Sequence, residues 1–278
     1  MKNAICLDIG GTNLRCALIN ENYEVEKVLI KQTQVGSREV FLSEIENIIK
    51  EISPNENTVG IAMGVPGPVD FKGYVSELPN VGIKDLPLAE YINSKLHLPT
   101  IVLNDAQVAA LGEGCIGAGK GYKSTFFITI STGVGGALVK DGKIVIPDDE
   151  IGHTNIKYKH KYYEFEKLNS GNGLLNLCKL NKLNVKNAQE FFLLKSQNDK
   201  NALKVYKLWL NNLTYLIQFI KKYFQVDVIV ISGGVIKSQE YFFEDLKNMN
   251  SNVKLFLAKF RQQAGLIGAA YACFNYIK

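Results

Sequence analysis

Apolar and polar positions along the first part of the chain switch between two periods. Apolar runs near 3–9, 14–20 and 24–31 read as strands, and the pattern near 38–51 reads as a helix. A further apolar run, Thr58 to Met63, leads into Gly64-Val-Pro-Gly-Pro-Val-Asp70; a helical stretch near 88–96 then precedes a strand at 100–103. Strands alternating with helices in this way predict an α/β fold. Farther on, Leu203, Tyr206, Leu210, Leu213, Ile217, Ile220 and Phe224 recur at spacings of three and four. They predict one long amphipathic helix with Asp199 as its N-cap. A strand at 226–232 and a helix near 263–276 follow. The small residues Gly265, Gly268, Ala269 and Ala270 allow that last helix to pack closely, and it is expected to return to the first domain.

Glycine interrupts the strand pattern twice in the same manner. Residues 4–18 run as an apolar strand to Asp8, turn through Gly10, Gly11 and Thr12, and return as a strand. Residues 125–139 repeat the shape, with Ser131-Thr132-Gly133 at the tip. Two such hairpins suggest a distant internal duplication, one copy in each of two domains. Glycines let a backbone approach phosphate closely, and clustered N–H groups form an anion nest. A carboxylate beside such a nest suits Mg²⁺, which takes few carboxylates together with phosphate oxygens. Asp8 therefore points to phosphoryl transfer from Mg-ATP.

Composition narrows the picture only modestly. A chain of 278 residues has room for roughly two domains of about 150 residues. The net charge of +5 comes from scattered lysines, which argues for a solvated surface and against a nucleic-acid partner. Cys6, Cys16, Cys115, Cys178 and Cys273 form no C-x-x-C pair and read as buried thiols in a reducing compartment. No apolar run reaches the roughly 18 residues a membrane span needs, and the chain opens directly on a strand. A cytoplasmic protein without membrane contact is the expectation.

Three further segments carry candidate chemistry. Asn104-Asp105 ends the strand at 100–103 and opens a helix at Ala106. Asp105 stands where an N-cap belongs; it also stands at the carboxyl end of a strand, where open α/β sheets bind ligands. A carboxylate there can take the proton of an attacking hydroxyl. Glu150-Ile-Gly-His153 sets an acid and an imidazole three residues apart, and Glu166 lies four residues before Ser170. Gly114-Cys-Ile-Gly-Ala-Gly-Lys120 nearly spells a Walker A loop, but Gly121 replaces the metal-binding hydroxyl and the segment follows a helix. It reads as the connection between domains.

Taken in order, these pieces resemble the ROK family of sugar kinases, in the actin/hexokinase superfamily. The resemblance is carried by Asp8-Ile-Gly-Gly-Thr-Asn-Leu-Arg15, Gly64-Val-Pro-Gly-Pro68, Leu78-Pro-Asn80, Asn104-Asp105, Ser131-Thr-Gly-Val-Gly-Gly136, Glu150-Ile-Gly-His153, Glu166 before Ser170-Gly171, and Ser232-Gly-Gly234. It implies an α/β, two-domain actin-like/ribonuclease-H-like fold with a cleft between the domains. The first domain would span 1–115, completed by 263–278, and the second 116–262. Asp8, Gly10, Gly11 and Thr12 would hold Mg²⁺ and the ATP phosphates. Thr132 and Gly133 would grip the phosphates, and Gly233 and Gly234 would line the nucleoside pocket. Gly67, Asn80, Asn104, Asp105, Glu150, His153 and Glu166 would bind the sugar, with Asp105 deprotonating its 6-hydroxyl. A homodimer is also implied.

One departure stands out. Most of the family carries a zinc site just after Glu-x-Gly-His, built from the histidine and three cysteines. Residues 155–166 here contain no cysteine. His153 and His160 cannot supply the four ligands of a structural zinc. The expectation is no zinc, with Tyr158, Tyr162, Tyr163 and Phe165 packing the loop and His153 needing another partner. Zinc-free members resembling this chain include bacterial N-acetylmannosamine kinases of sialic acid breakdown. The expected reaction is therefore N-acetylmannosamine to its 6-phosphate, with glucose as the alternative substrate. A non-catalytic sugar sensor and a DNA-binding repressor are the competing classes. The Asp8 hairpin starts too near residue 1 to leave room for the repressors' leading DNA-binding module, and a sensor would not require Asp8 and Asp105.

Overall fold

The computed structural model describes residues 1–79, 81–145 and 151–277. The elements are β1 (Asn3–Ile9), β2 (Asn13–Asn20), β3 (Val25–Gln32), α1 (Arg38–Ile52), β4 (Thr58–Val65), β5 (Val75–Leu78), β6 (Ile83–Leu86), α2 (Leu88–Leu96), β7 (Thr100–Asn104) and α3 (Asp105–Leu111). They continue with β8 (Ser124–Ile130), β9 (Val134–Lys140), β10 (Lys143–Val145), β11 (Asn155–Tyr158), β12 (Lys161–Glu164), α4 (Glu166–Asn169), α5 (Gly171–Leu180), α6 (Ala188–Ser196) and α7 (Lys200–Phe224). The chain closes with β13 (Val228–Ser232), α8 (Phe243–Met249), β14 (Lys254–Leu257) and α9 (Ala264–Tyr276).

Two compact units result. One comprises Met1–Gly117 and Gln262–Lys278, the other Ala118–Arg261. Each holds a five-stranded sheet, in the orders β3-β2-β1-β4-β7 and β10-β9-β8-β13-β14. In both, three antiparallel strands come first, and the first of them runs parallel to the two later ones. The identical order is what an internal duplication produces, and it places each glycine-tipped hairpin at the same edge of its own sheet.

In the first unit, alternation along the strands sends Ile5, Leu7, Ile9, Ile61, Met63 and Val65 to a core shared with α1 and α2. The opposite face carries Ala4, Cys6, Ala17 and Ala62, all fully buried. Small residues there let α9 lie close on β1, β2 and β4, beside α3. α9 and α3 touch backbone to backbone: a Cβ added at Gly268 would sit 1.6 Å from the Val108 carbonyl oxygen, and one at Gly112 would sit 2.4 Å from that of Ala264. After α3 the backbone widens into a π-helical turn over Gly112–Ile116. The Walker-like segment thus begins inside this turn, and the boundary between the units falls within it, after Gly117.

The second unit is built around α7, whose buried stripe includes Val205, Trp209, Leu213, Leu216 and Ile220. Asp199 caps it, accepting the Ala202 N–H at 2.8 Å, as its sequence predicts. Residues 155–164, expected to be a loop packed by aromatics, form the β11–β12 hairpin instead. Its two-residue turn, Lys159-His160, has φ of 52° and 70°. Tyr158 and Phe165 are buried, and Tyr158 meets Tyr163 edge to face. Tyr162 departs from expectation and is 70% exposed. It is adjacent to Tyr163 on a strand, so the two side chains must face opposite ways. Among the described residues, no helix is long and apolar enough to cross a membrane.

Because α9 meets α3 through backbone, a methyl group at their contact has no flexible neighbour to displace. Gly268→Ala should destabilise the protein by about 3 kcal/mol, read as a lowered urea midpoint. An unchanged midpoint contradicts the contact.

Candidate active site

The carboxyl ends of β1, β4 and β7 lie side by side, since Asp8 pairs with Gly64, Gly64 with Leu103, and Val65 with Asn104. Asp8 and Asp105 therefore emerge at one sheet edge. Asp105 was expected at the N-cap position, but the cap is Asn104. The Asn104 side-chain oxygen accepts the Ala106 N–H at 2.9 Å, and Gln107 completes a capping box by accepting the Asn104 N–H. Asp105 is the first helical residue, exposed, with Oδ1 also 2.8 Å from the Ala106 N–H. The amide of Asn104, read as a sugar contact, donates in addition to the Gly67 carbonyl at 3.0 Å. It thereby ties the Gly67 turn, which has φ of 106°, to the start of α3.

Asp8 sits in a demanding place. A Cβ added at Gly265, in the first turn of α9, would lie 3.2 Å from its carboxyl carbon. Burial pushes the Asp8 carboxyl up from 3.8 to about 6; Arg15 pulls it down, and the nearby Asp105 charge pushes it up. Arg15 Nη1 is 3.9 Å from Asp8 Oδ2 and donates to the Gln262 carbonyl at 3.0 Å. No role was assigned to Arg15 from the sequence. Its signal was the symmetry of the hairpin, which pairs it directly with Asp8. At the tip, Gly10 N–H bonds Asn13 and the Gly10 carbonyl accepts from Thr33 at 2.7 Å, while the Gly11 and Thr12 N–H groups take no partner among the described residues. Free N–H groups beside a carboxylate whose charge is unfavourable suit Mg²⁺ with phosphate.

The second unit gathers another set. The Gly234 N–H donates to Ser131 Oγ at 2.9 Å, joining the end of β13 to the β8–β9 tip. Gly233 lies so close on Ile130 that a Cβ would meet its carbonyl oxygen at 2.4 Å. Thr132, Gly133, Gly233 and Gly234 thus share one edge, linked by Ser131, which the sequence placed at the tip without a role. Glu166 belongs here too: Oε2 accepts the Val134 N–H at 3.4 Å, next to Gly133. His153 Nδ1 faces Glu164 Oε1 at 3.2 Å. Asn80 and Glu150 lie outside the described residues.

The raised pKa of Asp8 makes its charge a cost to the fold. The folded chain binds the extra proton, so the cost is absent below the unfolded value of 3.8. It grows as pH rises towards 6 and is complete above that. Asp8→Asn should therefore stabilise the ligand-free protein by about 2 kcal/mol at pH 7.5 and leave it unchanged near pH 3.5. Denaturation midpoints at the two pH values check this; equal midpoints at pH 7.5 contradict the strained carboxylate.

Comparison with known proteins gives a consistent answer. The model of the ROK family matches residues 4–274. The chain is 27% identical to an N-acetylmannosamine kinase of Escherichia coli, over 96% of each chain. It is 26% identical to a glucokinase of Halalkalibacterium halodurans, over 95% of this chain and 93% of that one. Among solved structures, a ROK hexokinase from Thermus thermophilus is 25% identical and superposes over 99% of both chains with a TM-score of 0.81. The α/β, actin-like fold implied by the motifs is the fold observed, and the chain belongs to the ROK family.

Proposed function

We propose that the protein transfers the γ-phosphoryl group of ATP to the 6-hydroxyl of an N-acetylhexosamine or hexose, with N-acetylmannosamine as the substrate. The observation that carries this reading is the pair Asp8 and Asp105 at one sheet edge, with Asn104 relieving Asp105 of the capping role. Asp105 stands in the first turn of α3, at its N-terminal end. As general base it takes the proton of the sugar hydroxyl while that oxygen attacks phosphorus. Asp8 holds Mg²⁺, which neutralises charge on the phosphate oxygens when bound. The Gly11 and Thr12 N–H groups add donors in the first unit; Thr132, Gly133, Gly233 and Gly234 provide the phosphate and nucleoside contacts of the second. Gly67, Asn104, His153 and Glu166 orient the sugar, whose hydroxyls each need a donor and an acceptor.

The choice of sugar rests on residues 151–166, which hold no cysteine. A coupled ADP-release assay over glucose, mannose, fructose, N-acetylglucosamine and N-acetylmannosamine tests it. Preference for N-acetylmannosamine is expected. Preference for glucose keeps the mechanism and changes the substrate, and sugar binding without turnover identifies a sensor. Asp105→Asn should lower kcat by roughly 10²–10⁴-fold and leave the sugar KM within a few-fold. Equal losses in both would make Asp105 a binding residue only.

A further inference from the structure

We infer that Glu164, together with Lys167, is a positioning residue that does for His153 and Glu166 what a metal site does elsewhere in the family. Its effect on sugar binding rests on the function proposed above for His153 and Glu166; the contact itself does not. The donors present do not fit a structural zinc. His153, Glu164 and Glu166 bring their ligand atoms within 4.8 Å of one another, but they offer one nitrogen and no sulfur. The place of a cation is taken by an ammonium. Lys167 Nζ lies 3.0 Å from Glu166 Oε1 and 3.7 Å from Glu164 Oε2. A chain of polar contacts thus runs from His153 through Glu164 and Lys167 to Glu166, and on to the Val134 N–H beside the β8–β9 tip.

The β11–β12 hairpin explains why Glu164 can do this. Ile156 pairs with Tyr163, and Tyr158 with Lys161, on the inward row; Asn155 pairs with Glu164 and Lys157 with Tyr162 on the outward row. Ile156 and Tyr158 are buried in the core of the second unit, and Tyr163 packs against it. A slip of one residue would turn every side chain to the other face, so apolar packing fixes the register. That register delivers the Glu164 carboxylate to His153. Aromatic and aliphatic burial has taken over the work of folding the segment, and a carboxylate the work of aiming the imidazole.

The contact has a chemical consequence. A carboxylate facing Nδ1 makes that nitrogen the donor in neutral imidazole and leaves Nε2 as the acceptor. A sugar hydroxyl that met Nε2 would then donate its proton to it. Free imidazole favours the opposite tautomer, so the contact with Glu164 acts against the intrinsic preference.

Long-range ¹H–¹⁵N spectra of the ligand-free protein at pH 8 test this directly, since the sequence contains 3 histidines and His153→Gln identifies the signal. The expected result is an Nδ1–H tautomer for His153 that reverts towards Nε2–H in Glu164→Ala. In the kinase assay, Glu164→Ala should raise the sugar KM by about 10-fold with kcat and the ATP KM little changed, the low end for an outer partner because the pair is partly exposed. Glu164→Gln, which retains an acceptor oxygen, should restore most of the affinity. An Nε2–H tautomer in the unaltered protein overturns the inference, as does stoichiometric zinc whose removal changes the His153 signal. An Nδ1–H tautomer without turnover on any sugar upholds the contact and overturns the proposed function instead.

Discussion

Everything at the candidate site of the first unit depends on how closely two helices and a sheet come together. α9 and α3 meet at Gly112 and Gly268 with no side chain between their backbones, and both lie beside strands that present alanine and cysteine. This packing brings the first turn of α9 under the Asp8 carboxylate and holds the start of α3, with Asp105, beside it. Gly64 on β4 leaves room for α3, since a Cβ there would meet the Val108 side chain at 2.4 Å and the Asp105 Cα at 3.5 Å. The spacing of the backbone segments that carry the two carboxylates is therefore set largely by backbone contacts, which do not adjust by changing rotamer.

That geometry has an electrostatic price. Asp8 is held near a like charge at the edge of a packed sheet, with one arginine 3.9 Å away as partial relief. Such an arrangement is unfavourable in the ligand-free protein, and in the proposed reaction a bound cation would relieve it. In the second unit the Gly234 and Val134 N–H groups are already bonded, to Ser131 Oγ and Glu166 Oε2, and the carboxylates of Glu164 and Glu166 share Lys167 as their counter-charge.

Much of the fold was legible because its periodicity is strong. α1, α2 and α7 each bury one clear stripe, and β1 and β2 are apolar runs buried on both faces, so their limits follow from the pattern. The β5–β6 pair was not legible: four-residue strands such as Val-Ser-Glu-Leu show too little alternation to stand out. Nor was the β11–β12 hairpin, whose turn is Lys-His where Asn-Gly would have announced it. The site residues were readable as motifs, but their neighbours were not. Glu164 and Lys167 matter only through a register that the packing of Ile156 and Tyr158 creates. The distinction between Asn104 and Asp105 as cap turns on backbone angles that two adjacent N-cap formers leave open.

The ownership of α9 also bears on how the molecule is made. The first unit is discontinuous in sequence: the helix that lies on the Cys6 and Ala62 face of its sheet follows the whole of the second unit. On the ribosome, the parts of β1, β2 and β4 that α9 covers must wait for it while all of the second unit, continuous in sequence, emerges and folds. The first unit is completed only after the second. Small side chains on that face, alanine and cysteine, expose less apolar area in the interval than large ones would.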